Sequence, residues 1–200
     1  MYLSKLILNL RSKQVRKDVI NPYDMHATLS WAVANAEEER VLWRLEDDRR
    51  TPTLLVQTLT PPDWNALLIR HPDYAQVDSK SPKHVELELE LGQLLRFRLR
   101  ANPTVTKNGK RYGLSKLEEQ LEWLTRQGKR HGFEVPGAIV SSSDWLSFKK
   151  SGVPHTISLQ AVTYDGHLRV QDPERLHVAI ERGLGHAKAL GFGLLSIAKG

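Results

Sequence analysis

Tyr23 and His26 lie three residues apart, directly after the pair Asn21-Pro22, and could perform acid–base chemistry on a phosphate. Asn is a favoured helix N-cap and Pro suits the first helical turn, so a helix is predicted to begin here. Residues three apart share one helix face, and the N-terminal end of a helix favours an anion. Imidazole exchanges protons near neutral pH. The alternative is that Tyr23 packs in the core and His26 is an ordinary helix histidine.

The glycine-rich segment from residue 183 to residue 193 is a second candidate site, because it also contains His186 and Lys188. Glycine lets backbone N–H groups approach a ligand closely, and such groups beside a lysine suit a phosphate. A helix is expected before the segment and a strand after it, which is the reverse of a dinucleotide-binding fingerprint. An alternative of equal weight is that the segment has only a structural role, in which glycine ends the helix and a tight turn leads into a buried strand. The glycines concerned are Gly183, Gly185, Gly191 and Gly193.

The charge of the chain favours a polyanionic partner. The net charge is +6, and residues 101–200 carry 14 Lys and Arg against 9 Asp and Glu. A basic half suggests nucleic acid first and an acidic membrane second, although a merely solvated basic surface is the alternative. Together with the glycines and His186, the residues expected to contact RNA phosphates are Arg96, Arg98, Arg100, Lys107, Lys110, Arg111, Arg126, Lys129, Arg130, Lys149 and Lys150.

Composition narrows the chemistry that is available. The chain has no cysteine, which removes disulfides, cysteine-bound zinc and thiol nucleophiles. Its histidines are scattered without a His-x-x-x-His pair, and no serine elbow of the Gly-x-Ser-x-Gly type is present. Metal-free acid–base chemistry without a cofactor is therefore expected. The N-terminal apolar run is too short for a membrane span and lacks a signal-peptide pattern, so we expect a cytoplasmic protein without a membrane partner.

The first half of the chain has the elements needed to position Tyr23 and His26. Alternating leucines predict a strand over 2–10, and an apolar stripe extends the helix after Asn21 to Ala36. Two strands, a short helix or turn and a further strand are predicted in the order 40–46, 53–59, 61–64 and 74–77. This order resembles half of a ferredoxin-like fold.

The second half repeats this kind of element order without a visible sequence repeat. The run Leu95–Arg100 alternates apolar residues with arginines, which predicts a strand with three arginines on one face. The elements expected after it are a loop over 102–109, a helix capped by a Ser115–Glu118 box, strands over 138–141 and 145–149, a hairpin turning at Asp165-Gly166, and a helix from Asp172-Pro173 to Gly183.

These patterns predict an α+β chain of two domains that meet within residues 78–92. The first domain, residues 1–90, carries the helix with Tyr23 and His26. The second domain, residues 91–200, carries the basic groove and the glycine-rich segment.

Three segments in order resemble one family: residues 1–6 with Asn21-Pro-Tyr-Asp-Met-His26, the run from Leu95 to Pro103, and Gly183–Ser196. The chain is similar to the CasE family, the CRISPR repeat-RNA endoribonucleases of Cascade complexes. The resemblance spans the whole chain and is weakest at 61–90 and 132–156. It implies two tandem ferredoxin-like (RRM-like) domains that bind a hairpin in the repeat RNA and cut at the 3′ base of its stem.

The resemblance also implies residue roles and partners. The family's catalytic histidine and nearby tyrosine fall on His26 and Tyr23, and its glycine-rich segment falls on 183–193. Some members have a catalytic lysine five residues after the histidine, where this chain has Trp31, and Lys188 is the expected substitute. The enzyme is expected to keep its product and to join the other Cascade subunits.

The expected reaction needs no metal, because the 2′-hydroxyl upstream of the scissile phosphate is the nucleophile. His26 exchanges a proton with the attacking or the leaving oxygen, and Tyr23 positions the phosphate or assists this transfer. The products are a 2′,3′-cyclic or 3′ phosphate and a 5′-hydroxyl. Two alternatives stay open: a catalytically silent RNA-binding subunit of the same architecture, and an unrelated pair of RNA-recognition domains, which normally display aromatic residues on their sheets.

Overall fold

The computed structural model describes residues 1–35, 39–46, 52–149 and 156–200 of the chain. The chain forms two compact units. The first unit consists of Met1–Glu86, Phe148–Thr156 and Ala189–Gly191, and the second consists of Leu87–Ser147, Ile157–Lys188 and Phe192–Gly200. No helix in the described ranges is both long enough and apolar enough to cross a membrane.

The first unit is a mixed α/β unit built on an antiparallel sheet. Its elements are β1 (Tyr2–Leu8), α1 (Lys13–Ile20), α2 (Pro22–Ser30), β2 (Leu42–Glu46), β3 (Thr53–Thr58), α3 (Trp64–Arg70), β4 (Ala75–Val77) and β5 (Lys83–His84). The strand order is β2-β3-β1-β4, and β5 also pairs with β1. β1 is central and antiparallel to both β3 and β4.

The core of the first unit lies between this sheet and its helices. Leu6 and Leu54 from the sheet, Met25 and Leu29 from α2, and Leu67 from α3 are completely buried. The predicted strands and the helix starts at Asn21-Pro22 and at residues 61–64 are confirmed within a few residues. α2 ends at Ser30, earlier than the predicted extension to Ala36, which lies outside the described residues.

Helix α1 has no counterpart among the predicted elements. Its buried positions are Val15 and Asp18, so its inward face carries a carboxylate where an amphipathic pattern requires an apolar residue. Val19 and Ile20, the apolar residues at its end, are exposed instead. Hydrophobic periodicity is the main sequence signal of a helix. In α1 this signal is misleading, because a charged residue is buried and two apolar residues are exposed.

The second unit contains a further four-stranded sheet and a separate hairpin. Its elements are β6 (Leu94–Ala101), β7 (Thr104–Lys107), β8 (Lys110–Gly113), α4 (Leu117–His131), β9 (Phe133–Lys149, whose last residues belong to the first unit), β10 (Thr156–Val170), α5 (Pro173–Arg182), a 3₁₀ turn (Lys188–Leu190) and β11 (Leu195–Lys199). The strand order is β11-β6-β10-β9, with β6 antiparallel to β10 and β11.

The predicted hairpin turn at Asp165-Gly166 is wrong, because β10 continues through both residues. The Asp165 carboxylate pairs with Arg98 on β6, with 2.6 Å between Arg98 Nε and Asp165 Oδ1. A Cβ at Gly166 would overlap the carbonyl oxygen of Gly137. Asp and Gly therefore serve a cross-strand ion pair and a close backbone approach inside a strand, rather than a turn.

Three other predictions are corrected in the second unit. The expected loop over 102–109 is largely the hairpin of β7 and β8, which turns at Asn108 (φ 50°) and Gly109 (φ 73°). Positive φ at both central residues is what a two-residue hairpin turn requires. The expected capping box is also wrong, because the N-cap of α4 is Lys116 and no side chain caps this helix end. The two strands predicted over 138–149 are one strand, β9.

Candidate active site

The start of α2 is built by Asn21 and Pro22, as the sequence predicts. Asn21 has extended backbone angles and its Oδ1 accepts a hydrogen bond of 3.1 Å from the Tyr23 N–H, so the side chain caps the helix. The Nδ2 of the same side chain donates to the Lys149 carbonyl at 3.2 Å. One asparagine therefore fixes the helix end and holds the end of β9 beside it.

Tyr23 is positioned by an aromatic contact at this helix start. Its ring is half-buried and meets the Phe148 ring edge-on, with 5.7 Å between centroids and 72° between planes. Such edge-to-face geometry is favourable beyond the apolar area it buries. The contact orients the phenol on the first turn of α2.

His26 has the most unusual environment in the site. Its side-chain Nδ1 is buried and has no hydrogen-bond partner. Burial lowers the pKa of His26 from its ordinary value of 6.5. Because the charged form is disfavoured, the imidazole is neutral at pH 7 and is able to accept a proton. A buried polar atom without a partner is rare in a folded protein and is typical of a functional group.

A buried polar network holds α2 in place. The Tyr74 hydroxyl donates to Asp18 Oδ2 at 2.8 Å, and Gln14 Nε2 donates to Asp18 Oδ1 at 2.8 Å. Gln14 Nε2 also lies 3.3 Å from Thr28 Oγ1 on α2. Burial raises the pKa of Asp18, while hydrogen bonds from Tyr74, Thr28 and Gln14 act in the opposite direction. The sequence reading missed these residues, because a single buried carboxylate on a polar helix has no motif.

Trp31 is the C-cap residue of α2. Its side chain is 54% exposed, and the guanidinium carbon of Arg70 lies 3.8 Å from the centroid of its ring. Arg70 is the last residue of α3 and is itself exposed. The sequence reading gave Arg70 no role.

Part of the glycine-rich segment packs against Trp43 within the first unit. Trp43 Nε1 donates to the Ala189 carbonyl at 3.2 Å. Gly191 has a φ of 83°, and a Cβ added there would lie 2.7 Å from the Trp43 ring. Glycine is required here because of this close protein contact and because of its positive φ.

In the second unit, the same segment forms a turn that leads into β11. Leu184 N–H donates to the Gly193 carbonyl at 2.9 Å, and Gly193 N–H donates to the Arg100 carbonyl at 2.7 Å. Lys188 Nζ donates to the Arg182 carbonyl at 2.9 Å, at the last residue of α5. This contact is typical of a cation that satisfies a helix C-terminus. Phosphate binding by the segment stays a prediction.

Cations from separate elements converge near His186. Burial lowers the pKa of His186, and the charges of Arg111, Lys188 and Arg130 lower it further. The pKa of His131 is lowered in the same way by burial, and then by Arg130, Lys188 and another arginine. The hairpin β7–β8, the end of α4 and the glycine-rich segment thus combine their charge into one positive region.

The three arginines of β6 lie on the face of the strand opposite its buried residues, as the alternation predicts. Arg96 and Arg98 are exposed, and Arg100 is half-buried. Arg98 pairs with Asp165, and Arg96 Nε donates to a β11 carbonyl at 3.2 Å. The Arg100 guanidinium lies 5.5 Å from the Phe192 ring centroid. Each arginine therefore also has an interaction within the protein.

The remaining predicted RNA contacts are distributed over exposed surfaces. Arg126 lies 3.7 Å from Glu122 in a solvent-exposed ion pair on α4. The other members of this set that the structure describes are exposed: Lys107, Lys110 and Arg111 on the hairpin, Lys129 and Arg130 on α4, and Lys149 at the end of β9. Lys150 lies outside the described residues. Across the described ranges, no three His, Asp or Glu side chains come together in a group that could hold a metal ion.

Comparison with known proteins gives one consistent result. The family model described as "CRISPR associated protein" matches residues 1–199. The chain is 44% identical over 215 residues to the CRISPR-associated endoribonuclease Cse3 of Thermus thermophilus, covering 99% of this chain and 100% of that protein. It is 36% identical over 131 residues to the Cascade subunit CasE of Escherichia coli, covering 58% of this chain and 63% of that protein.

A solved structure matches at the level of the fold as well. Thermus thermophilus Cse3 bound to an RNA that represents a pre-cleavage complex has a TM-score of 0.90 and 43% identity to this chain. The match covers 98% of each chain.

Proposed function

The chain belongs to the CRISPR associated protein family, and from this premise we propose that it is an endoribonuclease that cleaves CRISPR repeat precursor RNA. It recognises the hairpin of the repeat, cuts at the 3′ base of the stem and keeps the mature guide RNA. The similarity to Cse3 over nearly the whole chain and the RNA-bound structure of that relative support this function.

The observation that carries the catalytic proposal is the lowered pKa of His26, which lies on α2 three residues after Tyr23. Because the Nδ1 of its ring is enclosed by protein, Nε2 is the nitrogen proposed to accept the proton. A general base for a hydroxyl must be unprotonated at working pH and must have a nitrogen to accept the proton. His26 meets the first requirement because burial disfavours the imidazolium. Tyr23 lies three residues before it, on the same face of α2 and on the first turn.

The reaction follows from these groups and the substrate. His26 accepts the proton of the 2′-hydroxyl upstream of the scissile phosphate, and the resulting oxygen attacks phosphorus. The 2′-O–P bond forms and the P–O5′ bond breaks, which gives a 2′,3′-cyclic phosphate. The leaving 5′ oxygen takes a proton from water or from the imidazolium. Tyr23 donates a hydrogen bond to a phosphate oxygen.

Negative charge on the phosphate is stabilised at the start of α2. Pro22 has no N–H, the Asn21 side chain caps the N–H of Tyr23, and the Asn21 carbonyl accepts from Met25. The helix dipole is therefore the main attraction of this end for an anion. Lys149 lies beside this end, because its carbonyl accepts a hydrogen bond from Asn21. Lys188 is the second candidate for this role, from the glycine-rich segment.

RNA is held mainly through phosphates. The residues proposed for this are the basic set defined above, with the region around His186 as its densest part. Phosphate contacts give affinity without sequence information, so the repeat is recognised by its hairpin shape and by bases at the stem edge or in the flanks.

We assign both units to the ferredoxin-like, RRM-like fold, as tandem domains that follow residues 1–90 and 91–200 in the chain. Apart from the added helix α1, the short strand β5 and the hairpin β7–β8, each unit has the order strand, helix, strand, strand, helix, strand. Counted without those additions, each sheet places the first strand beside the third and the fourth. In the cytoplasm, the enzyme joins the other Cascade subunits with its bound guide RNA, as the name of the Escherichia coli relative suggests.

The architecture weighs against an unrelated pair of RNA-recognition domains. Those domains display aromatic residues on the open sheet face, where bases stack. Here Phe97, the aromatic residue of β6, is buried, and the opposite face of that strand carries arginines. A catalytically silent RNA-binding subunit of the same architecture is the second candidate function. The cleavage experiment below distinguishes between the two functions.

The test is incubation of the protein with its repeat RNA in EDTA. We expect one cut at the 3′ base of the stem, with cyclic or 3′ phosphate and 5′-hydroxyl ends. His26→Ala is expected to lose about two orders of magnitude in rate or more, with hairpin affinity kept within a few fold. Tyr23→Phe loses less, and the exposed His84→Ala is the matched control. Full-rate cleavage by His26→Ala would show that other residues catalyse the reaction. The absence of cleavage by the wild type would favour the catalytically silent RNA-binding subunit.

A further inference from the structure

The pair of Trp31 and Arg70 is not used by the mechanism above. Even with the guanidinium against its ring, Trp31 is 54% exposed, and Ile69, next to Arg70, is 82% exposed. In the part of the chain that the structure describes, Arg70 has no salt bridge. A cation with no ion pair among the described residues, an exposed indole and an exposed isoleucine are thus found together in the first unit.

These groups match the two parts of a nucleotide. An aromatic side chain stacks with a base of any sequence, because every base has a π face. A guanidinium whose carbon lies 3.8 Å from an indole centroid still has N–H donors, and those donors suit phosphate oxygens. A protein partner would need a wider apolar surface or an acidic group to meet Arg70.

The position of the pair relates it to the cleaved bond. Trp31 follows α2 directly, with helical backbone angles, and is five residues after His26. At 1.5 Å per residue, this spacing is about 7.5 Å along the helix axis. Five residues also turn the chain by about 140° around the axis, so Trp31 lies on a different side of the helix end from His26. The indole is therefore near a phosphate held at His26 without sharing its helix face, which suits a contact with a nucleotide next to that phosphate.

The pair is not required to hold α2 and α3 together. The Asp63 N–H donates to the Ala32 carbonyl at 2.7 Å, which joins the segment after α2 to the start of α3. The Asp63 side chain then caps α3 by accepting from the N–H groups of Asn65 and Ala66. Exposed side chains that serve no such purpose are available for a ligand, and their replacement leaves the backbone connection intact.

We infer that Trp31 and Arg70 form a nucleotide subsite that takes one unpaired nucleotide of the RNA beside the cleaved bond. Trp31 stacks on the base, and Arg70 binds the adjoining phosphate. The inference rests on the proposed function, since it takes the RNA strand to pass His26. It gives the enzyme a contact with the strand flanking the stem, separate from the contacts that hold the hairpin.

The test compares binding of two RNAs that carry a 2′-deoxy group at the cleavage position and so stay intact. One has unpaired flanks on both sides of the stem, and the other is the stem-loop alone. On the flanked RNA, we expect Trp31→Ala to weaken binding about ten-fold and Arg70→Ala to weaken it by several fold. Trp31→Phe keeps most of the affinity, because a phenyl ring still stacks. Leu91→Ala, which removes another exposed large apolar side chain outside the proposed RNA-binding residues, is the matched control and leaves affinity unchanged.

The stem-loop without flanks decides the inference. On that RNA, Trp31→Ala and Arg70→Ala are expected to bind as the wild type does. A series of flanked RNAs, each lacking the base of one unpaired nucleotide, locates the stacked base. For one RNA of the series, Trp31→Ala and the wild type are expected to bind with equal affinity. Equal losses on both RNAs, or no loss on the flanked RNA, would overturn the subsite. A wild type that binds both RNAs but cuts neither ribose-containing version would instead refute the proposed activity, and the binding comparison would still decide on the subsite.

Discussion

In the proposed reaction, His26 can act as a base or as an acid, and the burial of its side chain predicts the first of these roles. Because burial lowers the pKa of His26 below 6.5, the neutral imidazole predominates at pH 7. If it accepts the 2′-hydroxyl proton, single-turnover cleavage is constant from pH 8 to pH 7 and falls only once the pH drops below 6.5. The measurement is the cleavage rate at saturating enzyme across pH 5 to 8. A rate that rises as the pH falls through this range would show that the protonated form is required.

The placement of Tyr23 and His26 at the start of one helix was predictable from local sequence, whereas the residues that support this helix were not. Asn21, Pro22, Tyr23 and His26 lie within six positions, and capping chemistry alone places them on one helix end. Arg70 is 39 positions away from Trp31, and only the fold brings the two side chains together. The hydrogen bond from Lys188 to the Arg182 carbonyl also depends on the fold, because the fold brings Lys188 to the C-terminal end of α5.

At the level of elements, the buried network between α1 and α2 determines how firmly α2, the helix that carries Tyr23 and His26, is held. Tyr74→Phe removes the hydroxyl that donates to Asp18 and leaves a buried carboxyl with one fewer donor. We expect the free energy of unfolding to fall by about 1–3 kcal/mol. Urea unfolding followed by circular dichroism measures this change. The half-exposed Tyr112→Phe is the control, and an equal loss there would contradict a specific role for the network.

Elements with clear apolar alternation or helix caps were predicted well. Elements in which residues are used for a contact with a distant part of the chain were not. β1, β3, α5 and the start of α2 have apolar alternation or clear caps. α1 was missed because its buried Asp18 pairs with Tyr74, far away in sequence. β10 was divided because Asp165 and Gly166 have turn composition but are used to meet Arg98 and Gly137. In both cases, a long-range partner outweighs local preference.

At the level of the whole molecule, the distribution of charge determines how RNA binding responds to salt. Phosphate contacts release counterions, so the logarithm of affinity falls linearly with the logarithm of salt concentration. Changing Lys107 and Lys110 together to Gln is expected to reduce this slope by about 2, or about 1 for each phosphate contact. Fluorescence anisotropy with labelled hairpin at several salt concentrations measures the slope. The exposed Lys80→Gln is the control, and an unchanged slope in the double variant would remove the hairpin β7–β8 from the RNA-binding surface.

The contact of Trp43 with Ala189 and Gly191 has a consequence for protein synthesis. The indole N–H donates to a carbonyl 146 residues further along the chain, and the glycine beside that carbonyl leaves room for the ring. Domains generally fold as they leave the ribosome, the N-terminal one first. Here, Trp43 gains its last neighbours only after nearly the whole polypeptide has been translated. An unfinished nascent chain therefore contains every residue of the catalytic helix, but it lacks part of the unit that supports that helix.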